Sequence, residues 1–311
     1  MTRCLIKTLV IGGAGYIGSH LVPLLISADR CVTVLGRSQI PRYNLPAEAV
    51  YVQGDFTEPE LIVRLLETHQ EVIHLAYATV PNTSFDNPLS DLLQNLPFAV
   101  ALFSEAAARG VKLVLVSSGG TVYGEAVELP IRESHPTNPI SPYGVTKLTL
   151  ENYAYLYAVT HGLQFVCVRP ANAYGAGQQP FVGQGFIATA MASAMKGMPI
   201  KIFGQQGTIR DYIYVSDLAF GIVRTLEHGR LSETYNLGSG VGHTNLDVIE
   251  ICKSLIPGFG YDFHVENLPE RAFDVKVSVL DSSKLRDHTG WKPQISFEEG
   301  LTRTYEWLRN T

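Results

Sequence analysis

A glycine-rich turn between an apolar strand and an apolar helix constrains this chain more than any other segment. Val10-Ile11-Gly12-Gly13-Ala14-Gly15-Tyr16-Ile17-Gly18 follows a β-branched run at Thr8–Ile11 and leads into an apolar helix. Glycines 12, 15 and 18 fit GxxGxxG, and glycines 13, 15 and 18 also fit GxGxxG. Glycine is needed because a side chain would keep the backbone away from a pyrophosphate at the helix N-terminus. The spacing alone is weak, since a tight glycine turn can exist without a ligand. Its place after a strand and before a helix makes it a dinucleotide-binding turn.

The rest of the first half agrees. Short β-branched runs at Thr8–Ile11, Val32–Leu35, Val50–Gln53, Val72–Leu75, Leu113–Ser117 and Phe165–Arg169 alternate with helical stretches at Leu61–Thr68, Phe98–Arg109 and Tyr143–Thr160. That alternation predicts a parallel sheet covered on both faces, a doubly wound α/β fold of the Rossmann type. Gly110 is a helix stop, and Ser141-Pro142 reads as an N-cap followed by a first-turn proline. After Tyr174 the βα alternation is lost, and Gly175–Gly185 is loop-like. The expected division is a dinucleotide-binding domain over 1–176 and a smaller α/β substrate domain over 177–311, with some later segments returning to the first. A chain of 311 residues has the length for two such domains.

Composition narrows the function. A net charge of −5 argues against a general nucleic-acid binder, though a few placed arginines suffice for an anionic small ligand. Cys4, Cys31, Cys167 and Cys252 are widely spaced with no CxxC pair, so buried reduced thiols are expected and no metal site is. The N-terminal apolar run is cut at Gly12, too short for a signal segment or a membrane span. A cytoplasmic location is the default expectation.

The second strand ends in Gly36-Arg37-Ser38, with no carboxylate to receive a ribose 2′-hydroxyl. Arg37 would suit a 2′-phosphate, so the cofactor is NAD or NADP, unless Arg37 is simply exposed. Asp55, in Gly54-Asp55-Phe56, is either an adenine neighbour or a turn former. Tyr143 and Lys147 form a YxxxK on one helix face. An ammonium beside a phenol lowers its pKa and lets the phenolate act as a base.

With these motifs, Ser117-Ser118…Tyr123-Gly124 and Arg169-Pro170, the chain resembles the extended short-chain dehydrogenase/reductase family, and within it the UDP-glucose 4-epimerases, from about residue 8 to the C-terminus. The resemblance implies a nucleotide-sugar 4-epimerase carrying bound NAD(P), with Tyr143 as base and Lys147 as its partner. It implies a cofactor site of Gly12, Gly15, Tyr16, Ile17, Gly18, Arg37, Asp55, Phe56, Leu75, Ala76 and Asn95, besides Tyr143 and Lys147. On the substrate side it implies Asn172, Arg210 and Arg271 at the diphosphate, Asp274 at the ribose, Phe203 at the uracil and Ser278 beside the sugar. The small Ser278 implies room for an N-acetyl group, hence UDP-GlcNAc as well as UDP-glucose. Family members pair helices into a dimer, and apolar Leu102, Leu148, Tyr153, Leu156 and Tyr157 fit a homodimer or an internal core.

One departure stands out. The family's catalytic hydroxyl falls at Gly119, so Ser118, first in order, or Thr121 must replace it. The same stretch lacks the acidic residues of the dehydratases and decarboxylases. The nearest rival is an NADPH-dependent 4-keto sugar-nucleotide reductase. A non-catalytic NADP-binding sensor is a further one, disfavoured because the Tyr-Lys pair is kept.

Overall fold

The computed structural model describes residues 6–256, 264–271 and 274–311. In chain order its first elements are β1 (Ile6–Ile11), α1 (Tyr16–Ser27), β2 (Arg30–Gly36), β3 (Val50–Gln53), α2 (Pro59–Leu66), β4 (Glu71–His74), α3 (Pro81–Asp86), α4 (Pro88–Arg109), β5 (Lys112–Val116), α5 (Pro142–His161) and β6 (Phe165–Pro170). Then come β7 (Asn172–Tyr174), α6 (Phe186–Met195), β8 (Ile200–Phe203), β9 (Ile209–Tyr214), α7 (Val215–His228), β10 (Thr234–Leu237) and β11 (Gly242–His243). The chain closes with α8 (Asn245–Leu255), β12 (Val265–Leu268), β13 (Val277–Ser278), α9 (Ser283–Thr289) and α10 (Phe297–Arg309).

Seven strands pair in the order β10-β6-β5-β4-β1-β2-β3, all in parallel. Successive side chains alternate faces, so β1 sends Val10 into one core with Leu21, Val34 and Ile222. Leu9 and Ile11 enter the other, with Leu102, Phe103 and Leu150. Both faces are covered, and the strands read as unbroken Val/Ile/Leu runs. The order turns back on itself between β1 and β4, which opens a crevice at the carboxyl ends of these strands.

Strand bounds fall within two residues of expectation, and Gly110 and Gly162 close α4 and α5 at positive φ. Helix α4 begins ten residues earlier than its sequence pattern indicated. Pro97 interrupts its interior hydrogen bonding, but Asn87 caps the new start by accepting from Ser90 N at 3.0 Å, and Asp91 and Asn95 are buried. Leu102 is fully buried against the sheet, and Leu148 packs on a core as well, so neither belongs to a free helix face.

Later segments return to the first sheet: β10 pairs with β6, and α7 packs on α1. The remainder forms a smaller unit in which β9 is flanked by β7, β11 and β13, with β8 and β12 paired separately. Its core gathers Tyr174, Met191, Ile202, Tyr212, Ile249 and Leu301. Cys167 and Cys252 are buried free thiols, as expected. Cys31 is not. It points outward from the start of β2, where alternation turns it away from the core, and it is disulfide-bonded. Cys4 lies outside the described residues. No described helix is long and apolar enough to cross a membrane.

Candidate active site

The crevice rim is shaped by glycines that nothing larger can replace. Gly12 has φ +82°, and a Cβ there would lie 2.8 Å from Ala76 N. A Cβ on Gly18 would lie 2.1 Å from Gly13 O, so helix and turn touch backbone to backbone. Gly12 N donates to Leu35 O at 2.9 Å, while Leu75 N and Ala76 N both donate to Ile11 O at 3.0 Å. The ends of β1, β2 and β4 are thereby locked together. Gly15 is the N-cap of α1 and offers no side-chain cap, which leaves the amides of Tyr16 and Ile17 suited to an anion. A pyrophosphate fits this cradle.

At the end of β2, a Cβ on Gly36 would meet the Tyr51 hydroxyl at 2.8 Å. That hydroxyl donates to Ser38 O at 2.6 Å, so tyrosine occupies the space of an acidic side chain. Arg37 is exposed. Asp55 forms a turn: its Oδ1 accepts from Thr57 N at 2.9 Å and its amide donates to Glu58 Oε1 at 2.8 Å. Phe56 packs on His74, with ring centres 4.7 Å apart. Burial holds the His74 imidazole neutral, its pKa lowered to about 3.

Helix α5 starts against the loop after β5. Ser141 Oγ accepts from Gly144 N at 3.1 Å, and a Cβ on Gly144 would lie 2.8 Å from Thr121 O. This contact sets the Thr121 carbonyl against Gly144, the residue after Tyr143, in the first turn of the helix. Lys147, one turn on, is buried and donates from Nζ to Val116 O at 2.9 Å. Nζ lies 5.6 Å from the centre of the Tyr143 ring. Burial raises the Tyr143 phenol above its ordinary range, with the charge of Asp91 acting in the same direction. Burial also lowers Lys147 to about 8. The YxxxK spacing predicts a phenol lowered by the lysine; in the chain alone burial and Asp91 raise it instead.

Gly119 has a steric explanation. A Cβ there would fall 2.5 Å from Leu280 Cδ1 and 2.9 Å from Arg169 O, so no serine fits. Ser117 donates its hydroxyl to Glu151, which is buried and paired with Arg169 at 2.6 Å. Ser118 is half-buried. Thr121 Oγ1 is buried and has no hydrogen-bond partner among the described residues.

Three side chains of this region escaped the sequence reading. Asp91 is fully buried and accepts from Thr146 Oγ1 at 2.6 Å and from the Thr79 hydroxyl. Asn95 donates to Asp91 O at 2.7 Å and accepts from Ala78 N at 2.8 Å, so its amide pins the loop after β4. Two polar residues four apart on an apolar helix face were the available signal for Asp91. Glu151, four residues after Lys147, carried the same signal. Tyr77 offered none, because nothing in its neighbourhood distinguishes it from a core aromatic.

Across the crevice, strand register lines up His243, Arg210 and Ser278 on adjacent strands β11, β9 and β13. Arg210 Nη1 donates to Ile209 O at 2.9 Å, and burial together with nearby Arg271 lowers its pKa. It is half-buried and forms no ion pair among the described residues, which suits it to an anion. Arg271 pairs with Asp274 at 2.7 Å, lies 4.0 Å over the Phe203 ring and donates to Asn82 Oδ1 at 3.0 Å. Ser278 is buried beside Arg210, and Asn172 Oδ1 would lie 3.3 Å from a Cβ on Gly120. Ala272 and Phe273 lie outside the described residues. Asp217 anchors the backbone of Gln294 and Ile295 at 2.9 Å each, an architectural role.

A glycine cradle at a sheet switch point, with a Tyr-Lys pair beyond it, defines a nicotinamide-dinucleotide enzyme of the extended short-chain dehydrogenase class. The chain belongs to the NAD dependent epimerase/dehydratase family, whose model matches residues 8–238. It is 33% identical over 312 residues to a UDP-glucose 4-epimerase of Mycolicibacterium smegmatis, covering 98% of this chain and 99% of that one. UDP-glucose 4-epimerase of Thermotoga maritima, solved with UDP-glucose, superposes with TM-score 0.91 at 33% identity, covering 98% and 99%. The Thermus thermophilus enzyme in complex with NAD gives 0.89 at 33%, covering 98% and 100%. UDP-N-acetylglucosamine 4-epimerase of Methanobrevibacter ruminantium, in complex with UDP-N-acetylmuramic acid, gives 0.90 at 27%, covering 98% of each chain.

Proposed function

We infer that this protein is an NAD-dependent nucleotide-sugar 4-epimerase, and that UDP-glucose and UDP-GlcNAc are its substrates. The observation that carries the reading is the Tyr143–Lys147 pair, with Lys147 buried and Tyr143 half-buried, across the crevice from Arg210, a half-buried cation that forms no ion pair among the described residues. The glycine cradle suits the cofactor's pyrophosphate, and Lys147 suits its ribose. Bound NAD would accept the C4 hydride and return it. Tyr143 Oη, as the phenolate that the positive nicotinamide ring and the Lys147 ammonium would favour against the burial that raises it in the free chain, takes the proton of the C4 hydroxyl and later restores it. Thr121 Oγ1 supplies the hydrogen bond to that oxygen, a role for which its unpaired state favours it over Ser118. Arg210 and Arg271 hold the diphosphate while the sugar turns, with Asp274 at the ribose and Phe203 under the base. Holding the reacting carbon in place contributes much of the acceleration.

The buried, small Ser278 beside Arg210 favours acceptance of an N-acetylated sugar. The exposed Arg37 and the tyrosine-filled strand end favour some use of NADP, and with it the alternative of a 4-keto sugar-nucleotide reductase. Incubating purified protein without added cofactor with each UDP-sugar, and following C4 epimers by NMR, separates these. Epimers of both sugars support the reading. Turnover of UDP-glucose alone overturns the Ser278 argument, and no epimer with either sugar points to the reductase.

A second copy of the chain suits the outer face of α4 and α5, where Leu89, Leu93, Leu156 and Val159 are 63%, 53%, 48% and 67% exposed. Light scattering on the purified protein tests this; a monomer at micromolar concentration refutes it.

A further inference from the structure

Lys147 has a partner that its spacing from Tyr143 does not account for. Its ammonium nitrogen lies 4.0 Å from the centre of the Tyr77 ring, closer than the 5.6 Å to the Tyr143 ring. Tyr77 follows Ala76, the residue pressed against Gly12, so the strand end that shapes the glycine turn also places this ring. Its edge meets the Tyr143 ring at 4.9 Å between centres and 69° between planes. The Tyr77 hydroxyl is buried and lies toward Asp91 and Thr146, away from the ring face that Lys147 meets.

The carboxylates around Lys147 favour its ammonium by charge but hydrogen-bond to other groups, and the remaining titratable groups are uncharged. Glu151, on α5, is held by Arg169 and Ser117. Asp91, on α4, is held by Thr146 and Thr79. The Cys167 thiol on β6 is kept protonated by burial, and His74 at the end of β4 is neutral. The face of an aromatic ring is electron-rich, and its attraction for a cation grows where water is excluded.

We propose that Tyr77 is a positioning residue, whose ring face holds the Lys147 ammonium beside Tyr143 and so helps the chain retain NAD. The inference deepens the reading above and rests on it for turnover only, since cofactor retention is measured without any sugar. Tyr77→Phe keeps the ring face and removes only the hydroxyl that faces Asp91 and Thr146; Tyr77→Leu removes the face. The NAD carried by each purified protein is measured after gel filtration, together with the pH dependence of kcat/KM for epimerisation. Tyr77→Phe is expected to match the wild type. Tyr77→Leu is expected to bind NAD about 5-fold more weakly, with the basic limb of the profile moved down by about half to one pH unit. The ammonium is then easier to deprotonate. Tyr77→Met supplies the same readings if the leucine variant fails to fold. Leucine and methionine variants that match the wild type in both measurements overturn the proposal. So does a phenylalanine variant as impaired as they are, because the effect then belongs to the hydroxyl. If the wild type itself turns over no sugar, the function reading fails and NAD retention alone decides the role of Tyr77.

Discussion

Replacing Thr121 by valine separates the two hydroxyls that stand in for the excluded serine at position 119. Valine has nearly the shape of threonine, and the backbone carbonyl that meets Gly144 is untouched by the change. In the free enzyme Thr121 Oγ1 is buried and makes no hydrogen bond, so the substitution removes an unsatisfied polar atom. Stability should therefore stay level or rise by about 1 kcal/mol. In the transition state the same hydroxyl would donate to an oxygen gaining negative charge, an interaction of about 1.5–3 kcal/mol. Its loss should lower kcat/KM by roughly 10- to 150-fold. Coupled assay of epimer formation gives the rate, and urea unfolding gives the stability. Ser118→Ala, measured in parallel, should stay within about 3-fold of the wild type, a change under about 1 kcal/mol. A Thr121→Val enzyme of full activity beside an inactive Ser118→Ala enzyme would refute the reasoning and move the role to Ser118. A valine variant that is inactive and also unstable would refute the claim that Oγ1 is unpaired.

Two further predictions concern the buried groups behind the site. Glu151→Gln leaves Arg169, whose side chain is 8% exposed, without its counter-charge, and should destabilise the fold by about 3–5 kcal/mol in urea titrations; a change under about 1 kcal/mol would show the pair to be dispensable. His74 stays neutral in the fold, with its pKa lowered to about 3 from the ordinary 6.5, while the unfolded chain takes up a proton. Stability from this group is thus complete above pH 6.5 and is lost as pH falls toward 3, by up to about 1.4 kcal/mol per pH unit. His74→Asn should flatten the acid slope of stability against pH by one proton, and an unchanged slope would contradict the buried neutral assignment.

How much was legible beforehand depended on the range of the interaction. The strand–glycine turn–helix, the alternation of β-branched runs and the YxxxK spacing are local patterns, and backbone stereochemistry makes them explicit in sequence. They determined the parallel sheet, the dinucleotide cradle and the Tyr143–Lys147 face. The start of α4 was hidden because Pro97 is locally a helix breaker, while the buried Asp91 and Asn95 that hold the helix together past it act through contacts with distant loops.

What only tertiary structure decided was which polar groups are desolvated and what they face. Gly119 reads in sequence as a missing serine; in the fold it is a position closed by Leu280 and the Arg169 carbonyl. Gly36 reads as an absent carboxylate, and Tyr51 from the next strand fills that space. The spacing of Tyr143 and Lys147 brings them together, but their protonation is set by burial and by Asp91, which arrives from another element. Sequence periodicity specifies which side of a helix or strand a residue lies on. It carries no information on the distant partner opposite, and that partner controls desolvation and charge.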